Sequence, residues 1–416
     1  MSTSFTASTK LTAAVFLASA LSLAAATGAQ AADTVNVGLS TSLSGSIASL
    51  GQTNKNGIEL AVADINAAGG LLGSQIKLVT ADDALKPATG VNNVRNFILN
   101  DKVKAVFGPV SSAVGAAEAQ VVAQYKVPIF FSVSNDVDQT GKYFSDYVFQ
   151  VVPSTHMEPA AVATYVAKRA KDKGWKTFYT ISPNYNYGHT TVKDFLATLE
   201  EHGVKPEVLG QQWPELGASD YTSYVSAAAS KDPDFLFIVQ YGGDLITLTK
   251  QAAGQGLFNK SQVYAGYWSD VLQALGADAP AGAITSDRAR PFYLAETDEM
   301  KAFNKAYHDK YKEWPSTWAI LGYAAVQTWA EGVRKAESFD GEKVSQALSG
   351  AEIKSIHSTF RIRSCDHLAE IPEYVGVLSD DLDPTYGIRV MTDVFEAPAS
   401  ETMLSCEEKE AMRQKS

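Results

Sequence analysis

From Val35 onward, short runs of β-branched and aromatic residues alternate with longer stretches whose apolar positions recur every three or four residues. The short runs read as strands buried on both faces, and the longer ones as helices that cover a parallel sheet. The first series predicts strands at Val35–Ser40, Ile76–Ala81, Ala105–Gly108 and Pro128–Val133. Between them, Ile58, Val62 and Ile65 mark one helix that Gly69-Gly70 ends, and Val91, Val94 and Ile98 mark the next. A second series begins after Val151-Val152-Pro153, with strands at Thr177–Ile181, Phe235–Val239 and Val263–Ala265. Its helices run through Val192, Phe195 and Leu199, then through Leu245, Leu248 and Ala252. Past Ile284-Thr285 the pattern turns helical, with Met300, Phe303 and Tyr307 on one face and a long apolar helix from Thr317 to about Val333. This stretch has little sheet of its own and is expected to pack back on the first unit. The tail, with strand-like Tyr374–Leu378, then returns to the second. The expected architecture is α/β: two doubly wound, Rossmann-like lobes joined by a three-segment hinge. Lobe 1 takes residues 32–152 plus 287–362, and lobe 2 takes 153–286 plus 363–416.

Open α/β sheets bind ligands outside the carboxyl ends of their strands, so two such sheets facing each other enclose one cleft. In the first lobe those ends are small and hydroxylated: Thr41-Ser42-Leu43-Ser44-Gly45, Gly108-Pro109-Val110-Ser111-Ser112 and Ser132-Val133-Ser134-Asn135-Asp136. Ser111 and Ser112 precede a predicted helix start, and a helix N-terminus flanked by hydroxyls favours an anion such as a carboxylate. In the second lobe the ends are aromatic: Asn184-Tyr185-Asn186-Tyr187-Gly188, Gln240-Tyr241-Gly242-Gly243-Asp244 and Gly266-Tyr267-Trp268-Ser269-Asp270. Rings there stack on an apolar or planar ligand body. For each residue alone, helix capping, turn formation or core filling is the competing reading.

Charge and composition narrow the function. Over 416 residues, 35 Lys and Arg stand against 46 Asp and Glu, a net charge of −11, which excludes the broad basic surface that nucleic-acid binding requires. Lys10 followed by the small and apolar stretch Leu11–Ala26 and by Ala29-Gln30-Ala31 reads as a signal peptide over residues 1–31, the alternative being an N-terminal anchor. Its cleavage near Ala31 removes one lysine and moves the net charge to −12. The mature chain is then a soluble protein of an oxidising compartment, most simply a bacterial periplasm. In such surroundings Cys365 and Cys406 can pair, closing a loop of about 40 residues worth roughly 4 kcal/mol, the alternative being two buried thiols. No GxSxG, HExxH, Walker A or GxGxxG pattern occurs, and none of the six histidines forms a pair at metal-ligand helical spacing. No catalytic residue, metal or cofactor is expected. Asp380-Asp381 with Asp383 reads as a solvated turn rather than a calcium loop, and His189 as a surface residue at a helix start.

Several of these segments together resemble a known family over nearly the whole mature chain: Gly38-Leu39 with the serine-rich loop to Gly51, Gly57–Val62 through Ile65–Gly70, Asp82-Asp83, Phe107-Gly108-Pro109 with Ser111-Ser112, and Tyr187-Gly188. They are similar to the periplasmic branched-chain amino-acid and amide binding proteins of ABC importers. The resemblance implies a type I periplasmic binding fold, closure of two lobes on a small-molecule ligand, and delivery to an ABC permease in the inner membrane by a monomer. By position it implies that Ser112, Ser134 and Asp136 hold a ligand carboxylate or α-amino group, with Tyr187, Trp318 and Tyr241 as aromatic partners. The full candidate set is Ser44, Leu50, Ser111, Ser112, Ser134, Asn135, Asp136, Tyr187, Tyr241, Tyr267, Trp268 and Trp318. The chain departs from the family where an acidic residue usually pairs with the ligand ammonium, since Tyr267 and Trp268 stand there. Asp136 replaces a residue usually uncharged, and Leu50 stands where an aromatic is common. Burying an ammonium without a counter-ion is costly. Unless Asp244, Asp270 or Asp136 substitutes, the expected ligand is therefore a small organic acid with an apolar or aromatic body. A branched-chain amino acid or amide is the alternative, a ligand-sensing role uses the same cleft, and an exported serine hydrolase lacks a paired base.

Overall fold

A computed structural model describes residues 33–414, so the signal peptide expected over residues 1–31 lies outside the described residues. The first sheet holds β1 (Thr34–Thr41), β2 (Gln75–Asp82), β3 (Val106–Phe107), β4 (Ile129–Phe131) and β5 (Val148–Gln150). All pair in parallel, in the order β2-β1-β3-β4-β5. Val37, Leu39, Phe107 and Phe130 are fully buried, as continuous apolar runs require when helices cover both faces. The helix carrying Ile58 and Val62 runs from Ala48 to Ala67, and its stop is physical: Gly69 and Gly70 sit at φ +101° and +86°. β3 is shorter than its apolar run because Gly108 leaves the strand at φ +100°, where a Cβ would lie 1.9 Å from the Ser40 carbonyl oxygen.

The second sheet adds β6 (Thr177–Ile181), β7 (Glu207–Gln212), β8 (Phe235–Ile238), β9 (Gln262–Tyr264) and β10 (Ile284–Asp287). A small hairpin, β11 (Glu352–Lys354) with β12 (Thr359–Arg361), stands apart, and β13 (Glu373–Leu378) and β14 (Met391–Ala397) complete the second sheet. Its order is β14-β13-β10-β9-β8-β6-β7, parallel from β6 to β10 and antiparallel beyond. β7 and β14 are edge strands with mostly exposed or half-buried positions, so neither carries an apolar run. β10 is fully buried despite reading Ile-Thr-Ser-Asp. Two of its polar side chains are partnered instead: Thr285 Oγ1 accepts from the Tyr267 amide and Ser286 Oγ meets Tyr264 OH at 2.8 Å.

The long helix Thr317–Ala336 lies along Ala48–Ala67 so closely that a Cβ on Gly57 would meet the Ala319 carbonyl oxygen at 2.0 Å. Asn54 donates to the Trp318 carbonyl at 3.0 Å from the facing helix. Two crossings between the sheets touch where the Gln150 amide donates to His367 and the Ala369 amide to Gln150. Cys365 and Cys406 form the disulfide. Beyond it, the last helix, Cys406–Gln414, turns away from the second sheet and docks on residues 137–144, after β4 of the first. No helix among the described residues is long and apolar enough to cross a membrane.

Candidate functional site

The carboxyl ends of the parallel strands of the two sheets face each other and enclose a small cavity of about 280 Å³ including its mouth. From the first lobe it is lined by Leu50, early in the helix Ala48–Ala67, by Val110 and Ser112 after β3, and by Val133 and Asn135 after β4. Trp318, in the first turn of Thr317–Ala336, joins them. The second lobe contributes Tyr185 and Tyr187 after β6, Tyr241 after β8, Trp268 after β9 and Arg288 directly after β10. Thus Leu50, Ser112, Asn135, Tyr187, Tyr241, Trp268 and Trp318 come together from the candidate set. Val110, Val133, Tyr185 and Arg288 join them without having been singled out.

Five candidates face elsewhere. Ser44 is exposed beside Asp82, whose carboxyl is held low against its partial burial by the Leu43 amide and Ser44. Ser111 is a half-buried residue preceding the helix Ser112–Tyr125. Ser134 turns inward to accept a hydrogen bond from the Gln139 amide group. Tyr267 enters the core of the second lobe, its hydroxyl 3.4 Å from Thr249 Oγ1; neighbours in extended chain point opposite ways, so Trp268 alone can face the cavity. Asp136 gives its carboxylate to protein donors, accepting from the Asn186 amide at 2.6 Å and the Asp138 backbone at 3.0 Å. His189 packs at the surface with its ring tilted against Trp213, centroids 4.1 Å apart.

Arg288 dominates the electrostatics. Its side chain is 3% exposed, and Nε and Nη2 both donate to Glu158 Oε2, at 3.1 and 2.5 Å. Glu158 belongs to the first turn of the helix Met157–Lys173, and its other oxygen accepts from Ser286 at 3.1 Å and Tyr264 at 3.4 Å. Burial works against the guanidinium charge, but the Glu158 carboxylate outweighs it and holds the Arg288 pKa above its ordinary value. Three rings surround the cation, their centroids 5.1 Å (Trp318), 5.2 Å (Trp268) and 5.9 Å (Tyr187) from its central carbon. These distances are within cation–π range. Trp268 and Trp318 meet edge to face at 4.6 Å, and Tyr185 and Tyr241 share a 2.7 Å hydroxyl contact. Burial raises the pKa of Tyr185, Tyr187 and Tyr241, so all three hydroxyls are neutral.

Among the described residues no Asp or Glu lines the cavity. Asp244 accepts from the Gly217 amide at 2.7 Å, and Asp270 is buried within its helix, where desolvation pushes its pKa up to about 6. The indole N–H groups of Trp268 and Trp318 are buried without a hydrogen-bond partner among the described residues. Two unsatisfied donors and a guanidinium around one small space fit an acceptor-bearing, anionic guest. Leu50, Val110 and Val133 add apolar surface to the lining.

The lobes meet closely beside the cavity. Gly242 lies at φ +55° with Leu50 Cδ1 3.0 Å from the place of a Cβ, and a Cβ on Gly243 would sit 2.7 Å from the Ser46 carbonyl oxygen. Only glycine allows the two backbones this approach. Among the described residues no group of His, Cys, Asp and Glu could hold a metal ion, and Asp383 caps its own turn by accepting from the Thr385 amide.

A family model described as periplasmic binding protein matches residues 34–381. A leucine-, isoleucine-, valine-, threonine- and alanine-binding protein of Pseudomonas aeruginosa is 26% identical over 320 residues, which cover 77% of this chain and 83% of that one. Two solved structures share the fold at 22% identity. A solute-binding protein of an ABC transporter from Rhodopseudomonas palustris BisB5, in complex with 3,4-dihydroxybenzoic acid, superposes with a TM-score of 0.78 over 88% of this chain and 98% of its own. A solute-binding protein from R. palustris in complex with benzoate gives 0.77 over 88% and 97%.

Proposed function

We propose that this chain, which belongs to the type I periplasmic binding proteins that serve ABC importers, captures a small aromatic carboxylate between its lobes. The observation that carries the reading is Arg288: a cation enclosed by Trp268, Trp318 and Tyr187 at the cavity wall, with no carboxylate among the lining residues. An α-amino acid needs a buried counter-ion for its ammonium, and Asp136 and Asp244 are turned to other partners while Asp270 is buried at the start of its own helix and does not line the cavity. Glu158 uses Nε and Nη2 of the guanidinium, and no hydrogen bond among the described residues uses Nη1. That donor, the two indole N–H groups and the Ser112 hydroxyl donate to a carboxylate's oxygens, while aromatic rings of the lining pack beside its planar body. Contacts from both lobes give the closed form its higher affinity, as ligand-driven closure requires. The mature chain starts near Ala32 after removal of residues 1–31, works in the periplasm as a monomer, and hands its ligand to an inner-membrane permease.

The test is a thermal-shift screen with benzoate, 4-hydroxybenzoate, benzamide, leucine and isoleucine, since a ligand that binds only the folded form raises the melting temperature. Benzoates are expected to stabilise the protein and leucine to leave it unchanged. A shift with leucine and none with either benzoate overturns the reading in favour of branched-chain amino acids, which the apolar wall of Leu50, Val110 and Val133 would accommodate.

A further inference from the structure

The C-terminal helix does more than end the chain. Cys406–Gln414 has nine residues, too few to hold a helix in water by itself. Four kinds of contact fix it. Ser405 and Glu408 cap its start reciprocally, side chain to backbone, at 3.2 and 2.8 Å. The Cys365–Cys406 disulfide and the bond from Arg363 Nη1 to the Leu404 carbonyl, 2.7 Å, tie it to the crossing segment beside β5. Arg413 lies over the Phe144 ring at 4.1 Å and donates to the Cys365 carbonyl. Lys409, fully buried, donates to the Val137 carbonyl at 2.8 Å and Thr140 Oγ1 at 2.9 Å. Burying an ammonium is costly even with the Asp366, Asp138 and Asp136 carboxylates near it, which makes this a specific arrangement rather than incidental packing.

The turn that Lys409 grips is Val137–Gln139, and Asp136 caps it. One oxygen of Asp136 accepts from the Asp138 amide, while the other accepts from Asn186 at 2.6 Å, across the cleft in the lobe that supplies Tyr185 and Tyr187. We infer that the C-terminal helix is a strap: through Lys409 and the disulfide it holds the 136–140 turn in the one shape that lets Asp136 latch Asn186 and keep the lobes closed. The hydrogen bonds and disulfide named above run to the first lobe and the crossing segment, so they stay in place when the latch opens, while Glu408 also lies near His156 at the start of the helix Met157–Lys173. Its action rests on the lobe-closure part of the reading above and not on which ligand is bound.

The experiment compares the full mature chain with Lys409→Met, the double variant Cys365→Ser/Cys406→Ser, and Asn186→Ala. Backbone hydrogen exchange is followed in segments 136–144, 184–190 and 406–414 without ligand. Loss of one charge-assisted hydrogen bond across the cleft is expected to speed exchange in 184–190 roughly tenfold in all three variants. Asn186→Ala is expected to leave 406–414 as protected as in the parent. Faster exchange confined to 136–144 and 406–414 in the strap variants would reduce the helix to a structural brace and overturn the inference. With benzoate as probe, each variant should dissociate about tenfold faster, and adding Asn186→Ala to Lys409→Met should bring no further change. Additive losses overturn the latch. If benzoate does not bind at all, the ligand reading fails while the exchange pattern still decides the strap.

Discussion

Replacing Arg288 tests the binding reading most directly, provided the stability of its partner is handled separately. Arg288→Met alone leaves the Glu158 carboxylate 3% exposed with only the Ser286 and Tyr264 hydroxyls to face it. Breaking one side of a buried pair costs about 3–5 kcal/mol. At roughly 2–4 °C of melting temperature per kcal/mol in a chain of this class, the single variant should melt on the order of 10 °C lower. The double variant Arg288→Met/Glu158→Gln removes both charges, keeps a side-chain oxygen for Ser286 and Tyr264, and should melt within a few degrees of the parent, as buried pairs exchanged for neutral side chains commonly do. Hydrogen bonds to a charged group are each worth about 1.5–3 kcal/mol, so the double variant should bind benzoate about 10- to 150-fold more weakly. Benzamide, which has no charge to lose, should change little. Differential scanning fluorimetry reads the stability, and quenching of Trp268 and Trp318 fluorescence or calorimetry reads the affinity. Undiminished benzoate binding by a well-folded double variant would refute the role given to Arg288, and so would a parent that binds benzoate and benzamide equally.

Three further outcomes can be checked. Gly243→Ala places a methyl group 2.7 Å from the Ser46 carbonyl oxygen in the closed form, so it should weaken binding of every ligand while leaving the ligand-free melting temperature within a degree or two; ligand-selective losses would contradict a closure contact. Trp268→Ala removes one side of the aromatic enclosure and should weaken binding by at least about 1 kcal/mol, against which an unchanged dissociation constant would count. Burial pushes the His357 pKa down to about 3, with Arg290 adding to the effect, against 6.5 for the exposed imidazole. The unfolded chain therefore takes up a proton below pH 6.5 that the folded chain refuses, and this contribution is complete above pH 6.5 and lost as the pH falls toward 3. The stability advantage of the parent over His357→Asn should shrink between pH 7 and pH 4 by up to about 3 kcal/mol, and a constant advantage would show that the histidine charges freely.

What the residues alone disclosed tracks how completely each segment is buried. Thr177–Ile181 is buried through most of its length and its limits coincide with the apolar run, whereas β7 and β14 lie at sheet edges and look like loops in the sequence. β10 went unread for the opposite reason: Thr285 and Ser286 are buried with Tyr267 and Tyr264 as hydrogen-bond partners, and a pattern based on apolar residues passes over them. With that strand unread, its carboxyl end went unread too, and so did Arg288, the first residue beyond it. The clue was available in Ser286-Asp287-Arg288, one polar and two charged residues placed directly after a β-branched start in a series of strand ends. The aromatic and hydroxyl residues of the other strand ends were visible because composition changes sharply there. Which of two neighbours faces the cavity was not, since Trp268 and Tyr267 differ only by one step of backbone alternation. Asp136 illustrates a further gap: its carboxylate is engaged by Asn186, fifty positions away, which no local pattern discloses.

Because the rings of Trp268, Trp318 and Tyr187 already surround a guanidinium, the place where a choline-like or lysine-like solute would settle is taken by the protein's own side chain. Such molecules meet like charge instead of bare aromatic faces. If the proposed reading holds, rejection of positively charged solutes needs no dedicated gate, because the box already holds a cation.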